Sequence, residues 1–435
     1  MPTRLPLAAA LALTLLAAPA TARAADYVPG EVIVKYRDGT SASTETLVEE
    51  QVGTDAQRAL PGGSEQLAIG DGESVRAAVA ELRRDPNVLY AVPNYKARAA
   101  ALPDDPGLRK QWNFIGSFGI GMAEAWELAR QRGAPGGRGA LVAVLDSGVA
   151  YQRRGRYRRA PDLRRATFVK GYDFVGHDKH PNDVFGHGTH VAGTIAQATD
   201  NGIATAGIAY RARILPLRVL DWKGSGDSAA IARAIRYATR RGADVINLSL
   251  EFPTEVRAQE IPDVLSALRY ARARGVTVVA AAGNQADAAV AYPARASSVI
   301  AVGATTASGC EAEYSNAGAD LDVVAPGGGI DAPNDDNPWD AEHCRPDEPG
   351  RSIYQQTFIR GVRRFGLPSG YEGTSMASPH VSGIAALLLA TKRLGRNPSP
   401  ALVKAHLEQT ATDAGPPGFD DRYGHGLVNA AAALR

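Results

Sequence analysis

Four short segments hold side chains that can do chemistry. Asp146 follows the apolar run Ala140–Leu145 and precedes Ser147-Gly148. Parallel-sheet proteins keep functional groups at the carboxyl ends of strands, and a carboxylate there can orient a histidine or simply cap a turn. His187-Gly188-Thr189-His190 opens a run of small residues, Val191 to Ala196, that reads as a helix. An imidazole in its first turn can face a cleft as a base. Two histidines at this spacing can also hold zinc, although the glutamate of the common metalloprotease helix is missing between them and a zinc site needs a third ligand. Gly373-Thr374-Ser375-Met376-Ala377-Ser378-Pro379-His380 starts another helix. A serine at a helix amino end has free backbone N–H groups beside it, ready for developing negative charge, and can equally be a cap. Ala281-Ala282-Gly283-Asn284 follows the strand Val276–Ala280. A side-chain amide there can donate to an anionic oxygen, or Gly-Asn can mark a turn.

A framework must hold these groups. From about Gln111 onward apolar strands alternate with helices. The strands are 140–145, 214–219, 244–248, 276–281, 299–302 and 321–324; the helices are 228–240, 264–274 and 375–390, with a further helix starting at Ser399-Pro400. This predicts an α/β, three-layer fold with a mostly parallel central sheet over residues 100–435. The strand at 140–145 has no charged residue, as expected where both sheet faces are covered. Residues 25–99 form a separate small α+β domain. It holds a strand at 31–36, a turn at Asp38-Gly39, a helix at 74–84 ended by Asp85-Pro86, and a strand at 88–92. The stretch Ala97–Pro106 reads as a linker that a protease can enter. Asp331–Gly370 reads as a polar surface excursion, acidic at Asp335-Asp336. A structural calcium is one expectation there, although no spaced ligand loop is visible and the metal ligands stay unknown.

Residues 1–24 read as a secretory signal peptide: a basic start, an apolar run from Leu5 to Ala18 too short to span a membrane, and Ala22-Arg23-Ala24 at the cleavage point. The mature protein is therefore expected to be secreted, with no membrane association. A formal net charge of +2 argues against nucleic-acid binding, and the arginines at 153–158 read as exposed loop. Cys310 and Cys344 are the only cysteines. In an oxidising compartment they form one disulfide or stay as two buried thiols; neither has partners at zinc-site spacing.

Taken together, Val144-Leu145-Asp146-Ser147-Gly148, His187 through Thr194, Ala282-Gly283-Asn284 and Gly373 through His380 resemble the subtilisin-like serine peptidases, in that family's Asp–His–Ser order. The resemblance covers nearly all of the chain after Gln111. It implies a serine endopeptidase acting on proteins and peptides through an acyl-enzyme, with Ser375 as nucleophile, His187 as base and Asp146 as its orienting carboxylate. Asn284 and the Ser375 N–H would form the oxyanion hole, and His190 would be structural. Gly224-Ser225-Gly226 and Leu248-Ser249-Leu250 resemble the segments that clamp an extended substrate. Glu251 stands where that pattern usually has glycine, which would narrow or charge the rim. Ala291, before Tyr292-Pro293, would floor the primary pocket and leave room for an apolar side chain. Residues 25–99 look like the inhibitory propeptide of such enzymes. The resemblance requires no cofactor for the chemistry, and a monomer is expected. An α/β-hydrolase esterase is disfavoured, because Ser375 lacks a Gly-x-Ser-x-Gly elbow and the residue order differs.

Overall fold

The computed structural model describes residues 27–60, 62–70, 74–96, 102–333 and 343–435. The expected leader and the Asp335-Asp336 pair with its calcium expectation lie outside them. The chain divides into two compact units, Met1–Ala99 and Ala100–Arg435.

The first unit is a four-stranded antiparallel sheet in the order β2-β3-β1-β4, with β1 Tyr27–Tyr36, β2 Thr54–Leu60, β3 Ser64–Ile69 and β4 Val88–Tyr95. Val32, Val34 and Tyr36 alternate along β1 and point into one core. They meet Val48 and Val52 of α1 (Ala42–Val52) and Val75, Val79 and Leu82 of α2 (Val75–Leu82). Ser41 and Ser74 cap these helices by accepting from backbone N–H groups three residues on. The sequence reading anticipated β1, α2 and β4 but not α1, β2 or β3. Most of β2 is exposed and polar, so no apolar alternation announces it.

The second unit opens with α3 (Trp112–Ile115) and α4 (Met122–Gln131). Its sheet runs in the order β12-β11-β10-β9-β5-β8-β6, with β7 also on β8, and every pairing is parallel. The strands are β5 Leu141–Asp146, β6 Thr167–Phe168, β7 Tyr172–Asp173, β8 Arg213–Arg218, β9 Val245–Leu248, β10 Thr277–Ala281, β11 Ile300–Thr305 and β12 Val323–Pro326. Alternate residues leave by opposite faces. Val142, Val144, Ile214 and Val279 pack with α5 (His187–Ala196) and α8 (Thr374–Thr391). Leu141, Leu145, Leu217, Ile246 and Val278 pack with α6 (Ser228–Arg240) and α7 (Pro262–Ala273). A sheet between two helical layers is thus built from strands apolar on both faces. The chain leaves β5 toward β8 and returns on its other side at β9. This is a topological switch point, where a crevice opens beyond the carboxyl ends of the strands.

One expectation needs correction. Residues 331–370 are not a surface excursion throughout: Ser352, Ile353, Gln355, Gln356 and Thr357 are buried. The segment then forms the hairpin β13 (Thr357–Arg360) and β14 (Arg364–Gly366). Cys310 and Cys344 are joined by a disulfide, with Cα atoms 5.9 Å apart.

Candidate active site

Asp146 is the last residue of β5 and is fully buried. His187 is the first residue of α5, and its Nδ1 lies 2.8 Å and 3.0 Å from the two Asp146 carboxylate oxygens. The turn before α5 is fixed by a second buried carboxylate. Asp183 accepts from the N–H groups of Phe185, Gly186 and Thr189, from Thr189 Oγ1 and from Ser147 Oγ. Ser147 Oγ in turn accepts from the Gly188 N–H at 3.0 Å. The sequence reading missed Asp183; an aspartate four residues before the histidine was its only local trace. Gly188 cannot be larger, because a Cβ there would come within 2.2 Å of the Gly148 carbonyl oxygen.

Burial alone would push the His187 imidazole down. Asp146, by charge and hydrogen bond, and Asp183 behind it more than offset this and hold His187 above its ordinary value. His190 behaves in the opposite way. It is fully buried, stacks on Tyr371 at 4.3 Å, and pairs through Nε2 with the Ile353 carbonyl at 2.9 Å. Burial drives it down to about 3, so it is neutral. Its Nε2 is taken up by the Ile353 carbonyl and its face by Tyr371.

Ser375 is the second residue of α8, and Tyr371 just before it lies on His190, so α8 starts beside the first turn of α5. The Ser375 hydroxyl bonds to the Ser249 carbonyl at 3.3 Å, and no hydrogen bond joins it to His187. The Ser249 hydroxyl returns a bond to the Ser375 carbonyl at 2.8 Å. That acceptor is free because Pro379, four residues on, has no N–H to offer it. Asn284 follows β10, and its Oδ1 accepts from the Thr374 N–H at 2.8 Å and from Thr374 Oγ1 at 3.1 Å. Its Nδ2 donates to Glu251 at 3.1 Å. Asp146, Ser249 and Asn284 therefore all lie at carboxyl ends of neighbouring parallel strands, with Ser375 tied to Ser249 and its neighbour Thr374 tied to Asn284.

The flanking segments are shaped by close approaches. Gly224 has a φ of +81°, and a Cβ on it would stand 3.2 Å from the Phe185 ring; Gly226 would meet the Val219 carbonyl oxygen at 2.4 Å. The Ser225 N–H and C=O both bond to Asp221. Leu248 and Leu250 are buried beside Ser249. Ala291 is buried, and its N–H bonds to the Ala282 carbonyl at 2.7 Å. Among the described residues, Cys310, His343 and Cys344 cluster as a metal site would, but the two sulfurs are spent in the disulfide.

The pattern of the subtilase family (Peptidase_S8) matches residues 137–426, and that of the fervidolysin N-terminal prodomain matches residues 16–94. A thermophilic serine proteinase of Bacillus sp. (strain AK1) is 36% identical over 92% of this chain and 86% of its own length. Subtilisin Savinase of Lederbergia lenta is 37% identical over 73% of this chain and 98% of its own. An extracellular protease of Xanthomonas campestris pv. campestris is 32% identical over 98% and 77%. Among solved structures, a protease of Pseudoalteromonas arctica PAMC 21717 superposes with a TM-score of 0.62 at 31% identity, covering 77% of this chain and 99% of that one. With a catalytic-domain match across residues 137–426 and a prodomain match before it, the chain belongs to the subtilase family and is a subtilisin-like serine protease.

Proposed function

We propose that the chain is the precursor of a secreted endopeptidase in which Asp146, His187 and Ser375 form the catalytic triad. In this reading residues 1–24 are a signal peptide, 25–99 an inhibitory propeptide and 100–435 the peptidase. The observation that carries the proposal is the His187–Asp146 pair at 2.8 Å at the start of α5, with Ser375 in the first turn of α8, the helix that packs on α5. A proton on Nδ1, donated to Asp146, leaves Nε2 as a free base.

The chemistry follows. The Ser375 hydroxyl turns from the Ser249 carbonyl to His187 Nε2 and gives up its proton as Oγ bonds to the peptide carbon. The carbonyl oxygen becomes an anion, met by the Asn284 Nδ2–H and the Ser375 N–H. His187 then returns the proton to the leaving nitrogen as the C–N bond breaks, and water, activated the same way, releases the acyl-enzyme. No cofactor is needed for these steps. The clamping segments 224–226 and 248–250 bind substrate backbone and tolerate many sequences. Above Ala291 the primary pocket takes an apolar side chain in a broad preference. Protein substrates and the chain's own propeptide are the partners; nucleic acid and membrane are not, and the mature enzyme acts as a monomer.

The test is turnover of a peptide-amide substrate by wild type, Ser375→Ala and His187→Ala, with a phosphonylating reagent as label. Both variants should lose nearly all activity, and the label should map to Ser375. Turnover surviving in Ser375→Ala, or activity lost to a zinc chelator with the label absent, would refute the assignment.

A further inference from the structure

Glu251 stands two residues past Ser249, half-buried, and both its carboxylate oxygens are engaged. Oε2 accepts from Asn284 Nδ2 at 3.1 Å and Oε1 from Gln285 Nε2 at 2.6 Å. Gln285 is itself anchored, because buried Asn316 donates to its Oε1 at 2.8 Å. The carboxylate is therefore held at the amide that the proposed mechanism uses, and among the described residues no ion pair neutralises it. Asp287, another carboxylate on the same loop, accepts from Thr254.

We propose that Glu251, held against Asn284, is an electrostatic brake on oxyanion stabilisation. The inference rests on the assignment of Asn284 and Ser375 above. Asn284 does not need Glu251 for its orientation, since the Thr374 N–H and hydroxyl already fix its Oδ1. What Glu251 adds is charge. The amide has two N–H bonds, and whichever one the carboxylate holds, a negative charge stands within about two hydrogen-bond lengths of the oxyanion position. That repulsion grows only as the carbonyl oxygen becomes an anion, so it falls on the transition state and not on the bound substrate. Burial raises the Glu251 carboxyl above its ordinary value against the opposing bonds of Gln285 and Asn284, as expected for an acid without a cationic partner.

The experiment compares the mature enzymes obtained from full-length wild-type, Glu251→Gln and Glu251→Ala chains on a neutral peptide amide. A peptide boronate, whose adduct carries the oxyanion's charge, is the second probe. Glu251→Gln keeps the shape and an acceptor for Asn284 but removes the charge. Its kcat should rise about tenfold with KM changed less than about twofold, and boronate affinity should rise in parallel. Glu251→Ala should show the same sign, with thermal melting reporting any packing loss. An unchanged or lower kcat in Glu251→Gln overturns the brake, as does a rise in kcat without tighter boronate binding. Asn284→Ala, measured alongside, should lower kcat by about 10²–10³ with KM little changed, which shows that the underlying oxyanion assignment stands even if the brake fails.

Discussion

At His187, the proposed general base, two opposing effects meet. Burial disfavours the cation, while Asp146 and Asp183 favour it and prevail. A general base must be neutral, so the acid limb of kcat/KM should lie above the ordinary histidine value of about 6.5. Asp146→Asn removes the charge that raises the imidazole. Burial then dominates, and the limb should move to lower pH. The neutral amide also loses control of the imidazole tautomer, so kcat at the plateau should fall by about 10⁴. A pH–rate profile of the two proteins checks both effects. An acid limb that stays in place in Asp146→Asn would mean that another group titrates.

At the scale of elements, the start of α8 is where fold and chemistry are hardest to separate. Pro379 leaves the Ser375 carbonyl without its helical donor, and Ser249 at the end of β9 supplies one. That hydroxyl also accepts from Asn247 Nδ2 at 2.9 Å, so β9 and the nucleophile turn share one network. Ser249→Ala should cost about 1–3 kcal/mol, the penalty for an acceptor left unpaired. It should lower kcat more than it raises KM, because the nucleophile turn loosens while the substrate clamp keeps its backbone. Thermal melting and steady-state kinetics read the two effects, and a variant with unchanged stability and kcat would show that the Ser375 carbonyl needs no such partner. The same element shows why the sequence was readable in part. Strands β5, β8, β9 and β10 were visible to within a residue or so because fully covered strands are continuous apolar runs. The segments bearing Asp146, His187, Asn284 and Ser375 drew attention as reactive residue types at strand ends and helix starts, and their expected roles came from the resemblance of the four segments together to the subtilisin-like peptidases. The buried stretch at 352–357 was not visible. Its polar groups are satisfied by partners far away in the chain: the Trp112 indole on the Ser352 carbonyl, the Asp162 N–H on Gln356, and Thr205 and the Ala206 carbonyl on Gln355. Nothing local marks such a segment as interior. The Glu251–Asn284 contact likewise depends on how two strand ends meet, which spacing along one chain does not encode.

The whole molecule joins a prodomain-like unit to a protease unit, and this pairing implies a history for the chain. Each unit has its own buried core, so the first can fold and be cut away without dismantling the second. If the protease releases its own propeptide, the bond cut should lie between about Tyr95 and Asp105, and the cut should require the nucleophile. Purified Ser375→Ala precursor, incubated alone, should remain at full length after signal removal. The wild-type chain should appear as two fragments whose masses place the junction in that window. A trace of mature wild-type enzyme added to the variant distinguishes cleavage within one molecule from cleavage between molecules, since only the second converts it. A Ser375→Ala chain that matures in isolation at the wild-type rate would assign the cut to another protease and remove self-processing from the mechanism.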